Sequence, residues 1–292
     1  MKKTAVIAVS TGCLDYLDIA PENLFIVRCK IIMGGESYDD YVDMDADSFY
    51  RAIKSDSDLV PTSSMPSTGE MLETFETIEK AGYEAVIFNT ISTALSATYQ
   101  NAQVARESYE GELEIHLVDT KNAAISEGFL TLEALRLIEA GEAPDTIVPY
   151  LERLALSRKQ YFMVDNLRLL VKNGRLSGAS GFMGRILKIK PILEVNDEGK
   201  IVPFERIRTR KRALDRMVEL ILEDLKTLDH AVLTYDTSDN QEGYEYVRGK
   251  IEEVHPDIPA YAAPITPVIG AHTGQGTVGV AYFDLASAKP PK

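Results

Sequence analysis

The sequence predicts an α/β protein of two domains, the first built on a mainly parallel sheet and the second on a mixed one. Three observations predict it. Apolar runs rich in β-branched residues alternate with amphipathic stretches of helical period through the first half. A strand, turn, strand pattern at 189–207 marks a hairpin, which a purely parallel sheet would not contain. Finally, 292 residues with 45% apolar content are enough for one large or two ordinary cores.

Taken in order, the first strand is expected at 5–9. Its Met-Lys-Lys start and following Ser10-Thr11-Gly12-Cys13 imitate an export signal, but the apolar segment falls short of the roughly 7 to 15 residues such a signal needs. Further strands are expected at 24–32, 85–89 and 113–118, with helices at 45–54, 69–80, 94–107 and 123–140. Gly141-Glu142-Ala143-Pro144 ends one helix and starts another at 145–157, followed by a strand at 160–164. The domain boundary is placed in this connection, giving domains 1–158 and 159–292. The second half continues with a short helical stretch at 167–172, strands at 189–195 and 201–207 around the turn Asp197-Glu198-Gly199, and helices at 211–225 and 240–254. Strands at 231–235, 260–262 and 277–283 complete it.

Composition excludes several classes of function. The formal net charge of -14 makes the surface as a whole repel polyanions, so nucleic acid is not an expected partner. Two cysteines, Cys13 and Cys29, are too few for a disulfide framework or a Cys-based zinc site, which fits a reducing, cytoplasmic setting. No apolar run approaches the ~18 residues of a bilayer span. The histidines lack Cys or His partners at metal-ligand spacing, so neither metal nor cofactor is expected. One segment reverses the charge: 168–212 holds twelve Lys or Arg and four acids, a local +8 against -22 for the rest. It is either a solvated basic face or a surface for an anion, a lipid head group or an acidic partner.

Four clusters carry candidate chemistry. Thr62-Ser63-Ser64-Met65-Pro66-Ser67-Thr68 places five hydroxyls before a helix, more than a cap requires, so a polar pocket lining stands beside capping. Thr90 to Gln100 follows a buried-looking strand with Ser92, Thr93 and Ser96; a helix starting near Thr93 would aim free N–H groups and hydroxyls at the sheet's carboxyl edge, where open α/β sheets bind ligands. Asp119 to Asn122 repeats that position and reads as a cap. Asn173-Gly174-Arg175 ends a helix with a glycine and sends Arg175 off in a fixed direction, suited to forked recognition of a carboxylate or phosphate. Before the last strand, His272 sits among Gly270, Gly274 and Gly276, a structural histidine or a donor to an anion. Neither Gly-x-Ser-x-Gly nor a Gly-x-x-x-x-Gly-Lys-Ser/Thr loop occurs, which disfavours a hydrolase, although a dyad of Ser63 or Thr93 with His272 keeps that class as the alternative.

Read together and in this order, these residues resemble the DegV family, bacterial fatty-acid-binding proteins that serve as the binding subunit of fatty acid kinase. The resemblance runs from about Thr4 to Phe283 and is carried by Ser63-Ser64-Met65-Pro66-Ser67, Ser92 to Gln100, Asn173-Gly174-Arg175, Ile189-Lys190-Pro191-Ile192-Leu193, and Pro267 to Gly270 with His272-x-Gly274-x-Gly276. It implies a long-chain fatty acid as ligand, held in a buried tunnel near the domain junction, with its carboxylate presented to the catalytic subunit of a kinase for acyl-phosphate formation. It also implies a non-catalytic carrier whose basic segment meets the kinase, its nucleotide or, transiently, an anionic membrane. By position the carboxylate-binding set is Ser63 and Thr93, flanked by Ser64, Ser92 and Ser96, with Arg175 and His272 in support. Departures from the family pattern are Met65 for Gln, Ala97 for Gly, Asn173 for Gly, Gln275 for Pro, Val9 for Asp, and Arg28-Cys29 for Pro-Leu.

Overall fold

A computed structural model describes residues 2–56, 58–178 and 190–289. The first half runs β1 (Thr4–Val9), two 3₁₀ turns (Ser10–Gly12 and Leu14–Tyr16), β2 (Leu24–Val27), β3 (Lys30–Met33), β4 (Glu36–Asp39), α1 (Ala46–Ser55), β5 (Thr62–Ser64), α2 (Thr68–Lys80), β6 (Ala85–Thr90), α3 (Thr98–Ser108), β7 (Glu114–Asp119), α4 (Ile125–Glu139) and α5 (Pro144–Leu156). The second half runs β8 (Arg158–Met163), α6 (Arg168–Lys172), β9 (Ile192–Val195), β10 (Ile201–Glu205), α7 (Arg210–Leu225), β11 (Ala231–Thr237), α8 (Gln241–Glu252), β12 (Ala260–Pro264), α9 (Pro267–Thr273), β13 (Val278–Asp284) and α10 (Leu285–Ala288).

The first sheet, ordered β2-β1-β6-β7, is parallel throughout. Every residue of β1 and β6 is buried, as expected of strands covered by helices on both faces. The second sheet, β10-β9-β8-β13-β11-β12, is mixed: β11 pairs β12 in parallel, and its other pairings are antiparallel. Helix starts follow local chemistry. Asp45 caps α1 through Ser48 N, Ser67 and Glu70 form a capping box on α2, Pro144 opens α5, and Asn240 caps α8.

Four expectations need correction. The run 24–32 is two strands, not one: Cys29 N donates to Ser10 Oγ and the Arg28 guanidinium forks onto Asp15, so the chain leaves the parallel sheet at Val27. Its continuation, β3, builds a small antiparallel sheet of order β4-β3-β5, two of whose strands lie where helix or loop was expected or nothing was assigned. The helix expected at 94 begins at Thr98, because Leu95 and Ser96 N–H groups turn back to Ser92 O first. The glycine-rich segment before the last strand contains α9, which ends where Gly274 takes φ +75°. Ile189 lies outside the described residues, and the strand expected from it begins at Ile192.

The two sheets are joined by a shared core. Val6, Ile87 and Val118 of the parallel sheet, Phe129 of α4 and Leu151 of α5 pack in one cluster with Val232 of β11 and Phe283 of β13. α9 crosses the other way: Val268 and Ala271 belong to the cluster built on β1, α1 and α2. That exchange sets α9 beside β5, and the candidate site lies between them.

Candidate functional site

β5 is positioned by its pairing with β3, which puts Ser63 opposite fully buried Ile31 and therefore on the inward face. α9 is held from its N-terminal end by Asp40, whose Oδ1 accepts from Thr266 Oγ1 at 2.7 Å and Val268 N at 3.2 Å, and by the Tyr50 hydroxyl donating to Ile265 O at 2.8 Å. These constraints bring Ser63 Oγ to 2.7 Å from His272 Nε2, across 209 residues of chain. Asn173 Nδ2 donates to Ala271 O at 2.9 Å and so ties the end of α6 to α9. Arg175 is locked in turn, Nε donating to Leu95 O at 3.1 Å and Nη1 to Asn173 O at 2.6 Å. Its Nη2 has no hydrogen-bond partner, and no acid pairs with it, among the described residues.

Ser63, Arg175 and His272 line one narrow cleft of about 530 Å³, its open mouth included, together with Ser64 and Ser96. Ser64 and Met65 stand exposed at the mouth, whereas Ile91, Cys29, Val268 and Thr11 form a buried wall. The buried wall is mainly apolar, and Arg175 is the cationic group among the lining residues.

Two of the expected hydroxyls face elsewhere. Ser92 Oγ donates to Gly199 O at 2.9 Å, fastening the loop after β6 to the β9–β10 turn. Gly199 makes that approach possible, because a Cβ there would collide with the Ser92 side chain. Thr93 donates from Oγ1 to Asp119 Oδ2 at 2.7 Å and from N to Oδ1 at 3.2 Å, outside the cleft lining. Asp119 thus organises the loop that carries Leu95 and Ser96. Ser96 Oγ itself lies 2.8 Å from Thr98 Oγ1 at the start of α3.

Electrostatics distinguish the groups. Burial, reinforced by the Arg175 guanidinium, pushes the His272 imidazole down to about 4, so it is neutral at pH 7. Its buried Nδ1 has no partner among the described residues. A bare ring nitrogen tolerates that position better than an unsatisfied N–H, which puts the proton on Nε2, donating to Ser63 Oγ. The Ser63 hydrogen is then free to face the cleft.

Thr11, Cys29 and Glu127 are the wall and near-wall residues that sequence reasoning missed. Thr11 was read only within the segment that imitates an export signal and Cys29 as a lone cysteine and a departure from the family pattern, and nothing along the chain relates Glu127 to Thr11, 116 residues away. Of the basic segment, Arg185 and Lys188 lie outside the described residues. Lys190 and Arg210 converge on Asp165 at 3.0 and 2.6 Å, and Lys200 and Lys211 pair with Glu198 and Asp215, which neutralises much of its charge locally. Elsewhere Glu114, His116 and Asp145 draw together, with the Lys2 ammonium on Glu114.

Comparison with known proteins bears on this geometry. A family model described as "Uncharacterised protein, DegV family" matches residues 3–285. A DegV domain-containing protein of Listeria monocytogenes is 34% identical over 281 residues, covering 94% of this chain and 98% of the relative. Among solved structures, DegV of Bacillus subtilis, described as a fatty acid binding protein, superposes with a TM-score of 0.86 at 31% identity, covering 97% of this chain and 100% of that one. A fatty acid binding DegV family protein of Streptococcus agalactiae superposes with a TM-score of 0.89 at 28% identity over the whole of both chains.

Proposed function

The chain belongs to the DegV family, and from that premise we propose that it binds a long-chain fatty acid in the cleft between β5 and α9. The carboxylate lies among Ser63, Arg175 and His272, and the tail runs along the apolar wall. The observation that carries this reading is the convergence of Ser63 and His272 at 2.7 Å beside Arg175, whose Nη2 has no partner among the described residues. A carboxylate taken out of water requires several donors. The Ser63 hydroxyl and Arg175 Nη2 supply two from fixed positions, and Ser64 and Ser96 supply further hydroxyls near the mouth. Ser92 and Thr93 contribute by holding the Leu95–Ser96 loop in place. Burial of the tail contributes roughly 0.8 kcal/mol per methylene, about 10 kcal/mol for a ~16-carbon chain before ordering costs. Retention therefore comes from the tail and orientation from the head.

The protein acts, on this reading, as a cytoplasmic carrier without chemistry of its own. It presents the head group at the open mouth to a kinase subunit that forms the acyl phosphate, with exposed Arg208 and Arg212 turned toward that subunit and, in passing, toward anionic membrane. No described helix is long and apolar enough to cross a membrane. The same Ser63–His272 pair is the dyad of a hydrolase, the alternative reading. A histidine depressed to about 4, with its proton on the atom facing serine, is a poor general base, and this opposes it.

The test is direct. Extraction and mass spectrometry of the purified protein are expected to release a long-chain fatty acid, and delipidated protein to rebind palmitate. Arg175→Met, which removes a charge-assisted bond, is expected to weaken binding roughly 10- to 100-fold. Undiminished affinity in both Ser63→Ala and Arg175→Met would place the head group elsewhere, and turnover of p-nitrophenyl esters lost on His272→Asn would favour the hydrolase.

A further inference from the structure

Resting on the fatty-acid reading above, we infer that the buried wall of the cleft at Thr11 is built for an acyl chain carrying an oxygen substituent, a hydroxy fatty acid whose hydroxyl meets the Thr11–Glu127 pair. Thr11, in the 3₁₀ turn after β1, is 3% exposed and lines the cleft. Behind it Glu127, in the first turn of α4, is 1% exposed. Thr11 Oγ1 and Glu127 Oε1 are 2.7 Å apart, and Glu127 Oε2 is buried with no partner among the described residues. The pair is set in place by glycine: Gly12 and Gly128 bring the turn and α4 so close that a Cβ on Gly128 would overlap Gly12 O.

Counting hydrogens shows what is missing. Burial raises the Glu127 carboxyl well above the usual carboxylate range, which favours its protonated form. Thr11 and protonated Glu127 then own two O–H hydrogens and share one hydrogen bond. If threonine donates, the carboxyl hydrogen on Oε2 is left over. If the carboxyl donates instead, the threonine hydrogen is released on a residue that forms the cleft wall. A methylene chain offers no acceptor in either case. A hydroxyl on the chain accepts the spare hydrogen, and it can also donate should the carboxyl ionise. The neighbouring wall residues Ile91 and Val268 are apolar and compete for neither role.

The probes are stearic acid and its 9-, 10- and 12-hydroxy derivatives, measured by competition against a fluorescent fatty acid on the delipidated full chain. At least one hydroxystearate is expected to bind about tenfold more tightly than stearate, the effect of satisfying one buried donor. In Thr11→Val the ratio is expected to collapse to about one. Glu127→Met, which keeps volume and removes the carboxyl, is expected to shrink it as well and guards against misfolding of the first variant. Stearate binding as tightly as every hydroxystearate would mean that a water satisfies the pair, and overturns the inference. So does a preference that survives in both variants. Failure of stearate and all its derivatives to bind would refute the fatty-acid reading itself, a separate outcome.

Discussion

At His272 a single side chain ties binding to stability. Its imidazole is pushed down to about 4 by burial and the Arg175 charge, against an ordinary value of about 6.5 in the unfolded chain. Between those values the unfolded state binds more protons, so stability is complete above pH 6.5 and is lost as pH falls toward 4. The loss attributable to His272 between pH 7 and pH 5 is expected to be up to about 2 kcal/mol. Urea unfolding at the two pH values, in the wild type and His272→Gln, checks it. A wild type and variant with the same pH dependence would show that the ring is not buried neutral. Residues of this kind were partly legible in sequence. Ser63, Arg175 and His272 announced themselves as hydroxyl run, helix-ending Arg and glycine-flanked His. Thr11 did not, because its significance depends on a carboxyl that arrives from α4.

Between elements, close approach is the deciding quantity. α4 meets the 3₁₀ turn at Gly12 through Gly128, with a Cβ on Gly12 already at 3.3 Å from Gly128 Cα. Gly128→Ala is expected to destabilise by about 1–3 kcal/mol or more, since backbone cannot retreat as a flexible side chain can. The urea midpoint reads the effect, and an unchanged midpoint would mean the helix shifts without cost. The helices and most strands were evident from period and caps: Asp45, the Ser67–Glu70 box, Pro144 and Asn240 all sit where their helices begin. The split of 24–32 was not evident. A largely apolar run, interrupted at Arg28 and Lys30, looks like one strand until Arg28 finds Asp15 and Cys29 N finds Ser10, contacts that no local pattern encodes. Three-residue β5 was hidden for a related reason: strands this short carry no periodicity, and only pairing with β3 defines it.

For the whole molecule, the shared core predicts one cooperative unit rather than two independently melting halves. Phe129 of α4 lies 4.8 Å from the Phe283 ring of β13 and 5.6 Å from Tyr261 of β12, both in the second sheet, and packs in one cluster with Val6, Ile87 and Val118 of the first. Phe129→Ala is expected to cost about 3–5 kcal/mol and to lower a single calorimetric transition without splitting it. Two resolved transitions in the wild type would contradict the shared core. Charge at the junction acts in the opposite sense to His272. Asp236, buried and bonded among the described residues by Ile125 N alone, is pushed up to about 7, and buried Asp40 to about 6. Both fold with more protons than the unfolded chain binds, so their contribution is present at acid pH and lost as pH rises through those values. Raising pH from 6 to 8 is expected to cost about 1 kcal/mol through Asp236. Asp236→Asn should flatten that slope, and a slope identical in the variant would remove Asp236 from the account.

Sequence by itself determined the α/β class, the parallel first sheet and the hairpin-bearing second one, most of the helix starts, and a short roster of hydroxyl, Arg and His candidates. Those properties are local, set by periodicity, caps and turn residues within a few positions of one another. Only the tertiary structure decided which candidates meet. Ser63 reaches His272 because α9 is captured by the core of the first sheet, Thr93 turns to Asp119, and Ser92 turns to Gly199. The physical reason is that a hydrogen bond across a hundred or more residues is selected by the packing of whole elements, and packing leaves no signature at either end of the chain segment it joins.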